Sequence, residues 1–193
     1  MTVLAAYQGN GFAVIGADSR ATEDGGFYLE LATPKIVKNG DYLIAVSGAS
    51  RGGNIAQFGW TPPRAPRSNK KDVLDRFVTK TLIPSLRRAF VAAGFEAKDD
   101  GEAAWTESNM IIIVNGVVYP IFNDYSWDRE IRNVYFAGSG SELACGALAM
   151  VNMDECADDP ELAIEYVSKA VEVACRWNAY CALPVHVEVQ YQK

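Results

Sequence analysis

Residues 2–17 read TVLAAYQGNGFAVIGA, two β-prone apolar runs on either side of a glycine-rich turn. The turn, Gly9-Asn10-Gly11, supplies residues that accept the positive φ angles of a tight reversal. The segment therefore predicts a β-hairpin with strands at 2–8 and 12–17.

Asn-Gly pairs mark two further hairpins of the same chemistry. One pair is Asn39-Gly40 and the other is Asn115-Gly116, and each joins two apolar runs of strand length. A run before Gly138 and an alternating run near the end of the chain complete the predicted strands. These remaining strands are at residues 34–38, 42–47, 109–114, 117–122, 134–137 and 185–190.

Apolar residues at helical spacing predict two pairs of helices. In the first pair, the longer helix begins at an N-cap of Ser68 or Asn69 and is kinked at Pro84. Residues 60–67 before it form a loop, because they hold three prolines in eight positions. In the second pair, Asp159-Pro160 opens the last long helix. The four helices are at residues 50–58, 72–95, 141–152 and 160–177.

Strands and helices come in groups rather than alternating one by one, which argues against a doubly wound parallel sheet. The grouping predicts an α+β fold with helices outside packed antiparallel sheets. No internal repeat and no linker divides the chain, so we expect one domain over residues 1–193.

The composition favours a folded, soluble, cytoplasmic protein. Hydrophobic residues make up 49% of the chain and charged residues 22%, which suits a buried core. With 18 Lys and Arg against 24 Asp and Glu, the formal charge is −6, and no basic segment is long enough to follow nucleic-acid phosphates. No apolar run approaches the roughly 20 residues of a membrane span, and the first residues do not resemble a secretory signal.

Cysteine and histidine supply little chemistry here. The four cysteines contain no CxxC pair and make no disulfide framework, and one histidine, His186, cannot build a His-rich metal site. We therefore expect no metal and no cofactor. His186 fits an ordinary position on the last strand, and Cys145 and Cys175 fit small apolar positions on helices. The acidic residues at 154–159 lack calcium-loop spacing and fit a solvated helix-capping loop.

Thr2 carries a nucleophile and a base on one residue if Met1 is removed, which the small second residue favours. A hydroxyl needs a base to take its proton, and a free α-amine with a reference pKa of about 7.7–8.0 is half neutral near physiological pH. The shortage of histidines is then no obstacle to hydrolysis. A plain N-terminal residue is the alternative, and a Met-Thr start alone does not distinguish the two.

Five motifs run in order along nearly the whole chain behind this threonine. They are Thr2-Val-Leu-Ala-Ala, Gly16-Ala-Asp18-Ser-Arg20-Ala-Thr22, Lys35-Ile-Val, Val46-Ser-Gly48-Ala and Gly138-Ser139-Gly140-Ser141. The combination resembles the successive motifs of proteasome β-type subunits, including the bacterial peptidase HslV, which are N-terminal-nucleophile hydrolases. The resemblance implies a four-layer αββα sandwich with the threonine at the edge of one sheet.

The resemblance also implies roles for single residues. Thr2 matches the nucleophile, and Asp18 and Lys35 match the buried acid and lysine beside it. A lysine near the hydroxyl lowers the cost of negative charge on its oxygen, and the aspartate keeps that lysine oriented and charged. Ser139 matches a serine hydrogen-bonded near the amine, and Arg20 matches a structural ion-pair position. A solvated turn and a surface lysine are the alternatives for these charged residues.

The substrate implied by the resemblance is an extended peptide or unfolded protein. It would hydrogen-bond to the backbone around Thr22 and Gly48, as an added β-strand does. Gly48 would supply the oxyanion-hole N–H, with a simple strand-end turn as the alternative. Val46 matches a first-pocket position that favours a medium apolar side chain before the cut.

Two departures keep the function open. In the proteasome an aspartate and a serine, three residues apart, lie beside the nucleophile after the last large helix, and here Asn178 and Cys181 replace them. HslV also lacks that aspartate, but Asn178 cannot be an ionised partner and Cys181 is a poorer hydrogen-bonding group than serine. The alternatives are a threonine peptidase and a catalytically inactive structural or assembly relative, with a small-molecule amidase as a third.

The related subunits enclose their sites within rings. The resemblance therefore implies a homo-oligomeric ring and a regulatory ATPase as partners, with neither nucleic acid nor membrane expected. Trp60, Phe95 and Trp105 are candidates for subunit contacts, because each lies in or beside a loop with little core of its own, and ordinary loop packing is the alternative.

Overall fold

The structure, a computed structural model, describes residues 1–23, 26–68, 70–96 and 105–193. Its strands are β1 (Leu4–Gln8), β2 (Phe12–Ala17), β3 (Arg20–Thr22), β4 (Tyr28–Glu30), β5 (Ile36–Asn39), β6 (Tyr42–Gly48), β7 (Ser108–Val114), β8 (Val117–Ile121), β9 (Val134–Ala137) and β10 (His186–Tyr191). Its α-helices are α1 (Ser50–Asn54), α2 (Lys71–Phe77), α3 (Ile83–Ala92), α4 (Ser141–Leu148) and α5 (Pro160–Trp177). Single π-helical turns cover Ile55–Gly59 and Val78–Leu82, and a 3-10 turn covers Met153–Cys156.

Two four-stranded antiparallel sheets form the centre of the fold. The first has the order β10-β2-β1-β9 and the second β5-β6-β7-β8. The three predicted hairpins are confirmed by the pairing of β1 with β2, β5 with β6 and β7 with β8. In the turn between β7 and β8, Asn115 and Gly116 both have positive φ, at 50° and 71°, as a type I′ turn requires.

Side chains alternate between two cores along each central strand. In β1, Leu4 and Ala6 lie in the core between the two sheets, whereas Ala5 and Tyr7 lie in the core beneath α4 and α5. Strands β6 and β7 alternate in the same way between the central core and a third core beneath α2 and α3. Because every such strand is covered on both faces, it reads as an almost continuous apolar run. The predicted α+β, four-layer αββα sandwich is confirmed.

The helix predicted over 72–95 is interrupted. Helix α2 ends at Phe77, one π-helical turn follows, and α3 begins just before Pro84. Proline has no N–H and its ring crowds the carbonyl four residues earlier, so the regular bonding pattern cannot run through it. The residue that precedes α2 is Lys70 rather than the predicted Ser68, and Asn69 lies outside the described residues.

Trp60 is buried, so its prediction as a subunit contact is wrong. Its ring packs in the core of the second sheet, and its Nε1 donates to Ser85 Oγ at 3.1 Å. A proline-rich loop can bury an aromatic ring wherever the ring N–H finds a partner. Phe95 and Trp105 are half-buried, and residues 97–104 between them lie outside the described part of the chain.

The second helix pair follows the prediction more closely. Asp159 caps α5 by accepting a hydrogen bond from the Leu162 N–H at 3.1 Å, whereas α4 ends at Leu148, four residues early. Across the described ranges, no helix is both long and apolar enough to cross a bilayer. One domain over 1–193 stays a prediction.

Candidate active site

The register of the first sheet brings two other segments to Thr2. In β1, Leu4 pairs with the last residue of β2 on one side and the last residue of β9 on the other. The residues that follow those two partners, Asp18 and Gly138, therefore flank the chain just before β1. Thr2 is held between them and is only 3% exposed.

The turn after β9 fits closely against the backbone of Thr2. Gly138 has φ +94°, and a Cβ there would lie 2.3 Å from the Thr2 carbonyl oxygen, so only glycine fits. That oxygen accepts hydrogen bonds from the Gly140 N–H at 3.1 Å and from Ser139 Oγ at 3.3 Å. Ser139, which the resemblance places near the Thr2 amine, thus contacts Thr2 on the carbonyl side of the residue.

Asp18 is buried at the end of β2 and is surrounded by donors. Both carboxylate oxygens accept, so the charge is dispersed over several short hydrogen bonds. The donors are Thr2 Oγ1 at 2.8 Å, Val3 N at 3.0 Å and Lys35 Nζ at 2.6 Å on Oδ1, and Arg20 N at 3.1 Å and Ala182 N at 3.3 Å on Oδ2.

Lys35 comes from the other sheet, one residue before β5. Its Nζ donates to Thr2 Oγ1, to Asp18 Oδ1 and to the Arg20 carbonyl at 2.5 Å. The lysine side chain is 8% exposed and the aspartate side chain is fully buried. Burial lowers the pKa of Lys35 from its ordinary value, and the negative charge of Asp18 opposes that shift.

The hydroxyl of Thr2 therefore lies between an ammonium and a carboxylate. An ammonium in contact with Oγ1 stabilises negative charge on that oxygen, and it acts more strongly here than in water because the cluster is buried. The Asp18–Lys35 ion pair orients the ammonium. The amine of Met1 donates to the Thr22 carbonyl at 2.8 Å.

A cleft of about 380 Å³ opens beside this cluster. Thr22, Val46 and Gly48, predicted to contact the substrate, all line it together with Thr2 and Lys35. Apolar side chains in and next to β4 and in the π-helical turn over Ile55–Gly59 form other parts of the wall. These are Phe27, Leu29, Leu31 and Phe58.

Gly48 lies at the end of β6 on the wall of the cleft opposite β3. Its φ is +104°, and a Cβ there would lie 2.2 Å from the Glu107 carbonyl oxygen. No other residue can take this conformation without moving β7. The backbone of Gly48 and that of Thr22 thus border the same cleft as Thr2, as the two edges for an added peptide strand would.

Asn178 and Cys181 are in the segment that follows α5, next to the turn that contains Ser139. The Asn178 amide donates to the Ser139 carbonyl at 2.8 Å, and its Oδ1 accepts from the Tyr180 N–H at 2.9 Å. Cys181 is buried, and burial raises the pKa of its thiol to about 11. Asn178 therefore ties the end of α5 to the turn that holds Thr2, a bracing contact that needs no charge.

Arg20 lies outside the reacting cluster except through its backbone. Its guanidinium pairs with Glu30 Oε1 at 2.6 Å and stands 4.1 Å from the centre of the Tyr28 ring. These contacts join β3 to β4, a short hairpin that was not predicted because its three-residue strands carry no clear apolar period. His186 pairs with Glu188 on β10.

Gln57 and Ala182 also support the site and were missed by sequence reasoning. Ala182 contributes only its backbone N–H, to Asp18, and Gln57 donates through Nε2 to the Lys35 carbonyl at 2.7 Å. A backbone donor leaves no mark on residue type. Gln57 is a polar residue within the short helix predicted at 50–58, and nothing in that prediction assigns it to the site.

The architecture of two antiparallel sheets between layers of helices is shared with solved structures of BPH and HslV. No family model and no curated protein matches the sequence. Among solved structures, the chain is similar to Thiobacillus denitrificans BPH in complex with epoxomicin, with TM-score 0.73, 21% identity and 100% of both chains covered. A second structure of Thiobacillus denitrificans BPH has TM-score 0.66 and 20% identity, covering 100% of this chain and 99% of the other. Eukaryotic HslV from Trypanosoma brucei has TM-score 0.65 and 17% identity, covering 99% and 100%. These likenesses confirm the fold predicted from the motifs.

Proposed function

We propose that this protein is a cytoplasmic threonine-type peptidase that uses Thr2 as its nucleophile after removal of Met1. Its substrates are peptides or unfolded protein, and it works inside a homo-oligomeric assembly. The observation that supports this most directly is the contact of Lys35 Nζ with both Thr2 Oγ1 and Asp18. An isolated surface threonine would have neither the buried ammonium nor the paired carboxylate.

The reaction follows from these positions. Once Met1 is gone, the free α-amine of Thr2 takes the proton from Oγ1, and the oxygen attacks the carbonyl carbon of the substrate. The peptide C–N bond breaks, its nitrogen receives the proton, and the acyl group stays on Oγ1 as an ester. Water then attacks the ester with the same amine as base, which releases the acid and restores the hydroxyl.

Two groups stabilise the charge that develops on oxygen. The Lys35 ammonium faces Oγ1 as it becomes an alkoxide, and the Gly48 N–H serves the oxyanion of the substrate. Asp18 holds the ammonium in place. An extended peptide lies between β3 and the end of β6, with its backbone hydrogen-bonded around Thr22 and Gly48.

Epoxomicin provides a probe for this site. The compound is bound by BPH, whose fold this chain shares. We propose that it also binds in the cleft beside Thr2 and suppresses turnover.

Removal of Met1 is expected to switch activity on. Two fusions should be cleaved with a site-specific protease, one leaving Thr2 as the first residue and one leaving Met1, and intact mass should verify both. We expect the Met1 form to hydrolyse fluorogenic peptides at least about 100-fold more slowly, because its Thr2 nitrogen is an amide and Met1 lies in the cleft. Equal, epoxomicin-insensitive turnover in both forms would contradict the proposal.

A non-catalytic structural or assembly relative is the second candidate. Asn178 and Cys181 favour it, since Asn178 cannot carry the charge of the proteasome's aspartate and Cys181 is a poorer hydrogen-bonding group than the proteasome's serine. The same two preparations separate the candidates. A correctly folded form that begins at Thr2 and cleaves no peptide supports the non-catalytic role.

Ring formation is expected whichever candidate is right. Several large apolar side chains face solvent, with Ile131, Met150 and Trp177 exposed to 93%, 85% and 73%. Burial of such residues against other subunits, or against a regulatory ATPase, would remove that area from water. Light scattering after size exclusion at micromolar concentration should give a multiple of 21.0 kDa. A 21.0 kDa species at every dilution would rule out a chamber.

A further inference from the structure

The first π-helical turn places Gln57 on the wall of the cleft beside Lys35. Its Nε2 donates to the Lys35 carbonyl at 2.7 Å and to the Ile44 carbonyl at 2.9 Å, so both amide hydrogens are used. A flipped amide would set Oε1 against those two carbonyl oxygens. The orientation of the Gln57 side chain is therefore determined by its neighbours.

The remaining oxygen of Gln57 faces an open space above Gly53. A Cβ built on Gly53 would lie 3.7 Å from Gln57 Oε1 and 3.8 Å from Val46 Cβ, with nothing nearer. All three residues line the cleft that contains Thr2. Among the residues that the structure describes, no group donates a hydrogen bond to this Oε1. The space is thus a pocket with one apolar wall, one accepting oxygen and a glycine floor.

The pocket has a chemical preference. A substrate side chain that ends in a hydrocarbon covers Gln57 Oε1 and leaves this acceptor without a hydrogen bond, which costs binding free energy. A side chain that ends in a carboxylate brings a second acceptor against Oε1, and the two repel each other. The three residues that form this space, Val46, Gly53 and Gln57, carry no negative charge that could pair with a cationic tip. A neutral primary amide on a straight apolar stem satisfies the acceptor and suits the remaining walls.

We infer that the pocket formed by Val46, Gly53 and Gln57 selects glutamine, instead of the medium apolar side chain expected from Val46 alone, at the substrate residue on the acyl side of the bond that is cut. Gly53 sets the depth of this pocket, and Gln57 Oε1 accepts from the glutamine amide. The inference rests on the proposed function, because it assigns the specificity of that same site.

Four fluorogenic peptides that differ only in the residue before the reporter test this inference. The residues are Gln, Glu, Met and Ala, of which the first three have stems of similar length. With the form that begins at Thr2, we expect kcat/KM for the Gln peptide to exceed that for Glu and Met at least tenfold.

Gly53→Ala fills the floor of the pocket without a clash. Gly53 lies in α1 with an ordinary helical φ, so alanine is tolerated by the backbone. We expect the ratio of kcat/KM for the Gln peptide to that for the Ala peptide to fall at least tenfold in the variant. Gly146→Ala in α4 is the matched control, because an added Cβ there meets nothing within 4 Å, and it should leave all four rates unchanged.

Binding to the Thr2→Ala variant separates specificity from catalysis. Calorimetry with uncleaved Gln and Met peptides should show tighter binding of Gln, and Gly53→Ala should remove the difference. Hydrolysis that depends on Thr2 but treats Gln, Met and Glu alike overturns the inference and leaves the proposed function standing. If no peptide is cut and none binds, the proposed function fails and the inference fails with it.

Discussion

Thr2→Ala is expected to lower peptide hydrolysis by at least about 10³-fold, because it removes the oxygen that forms the ester. The variant should be made in the form that begins at residue 2, so that the α-amine is present and only the nucleophile is lost. Loss of Oγ1 leaves the Asp18–Lys35 ion pair in place. Fold and assembly should therefore be unchanged by circular dichroism and light scattering.

Thr2→Ser is the matched control for this change. It keeps the hydroxyl and its contacts to Asp18 and Lys35 while losing a methyl group, so we expect reduced but measurable turnover. Undiminished hydrolysis by Thr2→Ala would exclude Thr2 as the nucleophile. If the wild type, Thr2→Ser and Thr2→Ala all fold but none of them hydrolyses peptide, the non-catalytic candidate is favoured.

Lys35→Ala and Asp18→Asn are each expected to lower kcat by about 10²–10³-fold, with much smaller changes in KM. Both residues act on charge that develops at Oγ1 in the transition state, and neither provides backbone bonds to an extended peptide. Lys38→Ala is the control, because this lysine is on the same strand, β5, but is exposed to solvent. Changes confined to KM would assign Lys35 and Asp18 to substrate binding instead.

The pH dependence of the wild-type protein provides a second readout for Lys35. Burial lowers the pKa of this lysine, so its ammonium is lost below the value of about 10.4 typical of a free lysine. Activity should therefore fall as pH rises through this lowered pKa. The residual activity of Lys35→Ala should show no such alkaline decrease.

Stability should move in the opposite direction over the same pH range. Between the lowered folded-state pKa and the ordinary unfolded-state pKa, the unfolded chain binds more protons than the folded chain. The contribution of Lys35 to the free energy of unfolding therefore rises with pH. Urea titrations of wild type and Lys35→Ala should differ in this slope. Parallel loss of activity and stability would mean that alkaline unfolding, not lysine deprotonation, ends the reaction.

The candidate site residues Asp18, Lys35 and Ser139 were all placed beside Thr2 by motif resemblance. In the structure, the register of the hairpin predicted around Gly9-Asn10-Gly11 brings Asp18 to the side of Thr2. Lys35 and Ser139 reach Thr2 from segments that are remote in sequence. Nothing in the residues around them specifies that meeting.

What the sequence determined by itself is the three hairpins with their turns, whereas the candidate site residues came from the resemblance of its motifs. The hairpins depend on φ preferences and on apolar runs, which are properties of neighbouring residues. Only the tertiary structure decided the burial of Trp60, the five donors around Asp18 and the outward-facing oxygen of Gln57. Each of these depends on groups from distant segments that compete for one buried space or one hydrogen bond, and such competition is settled by packing.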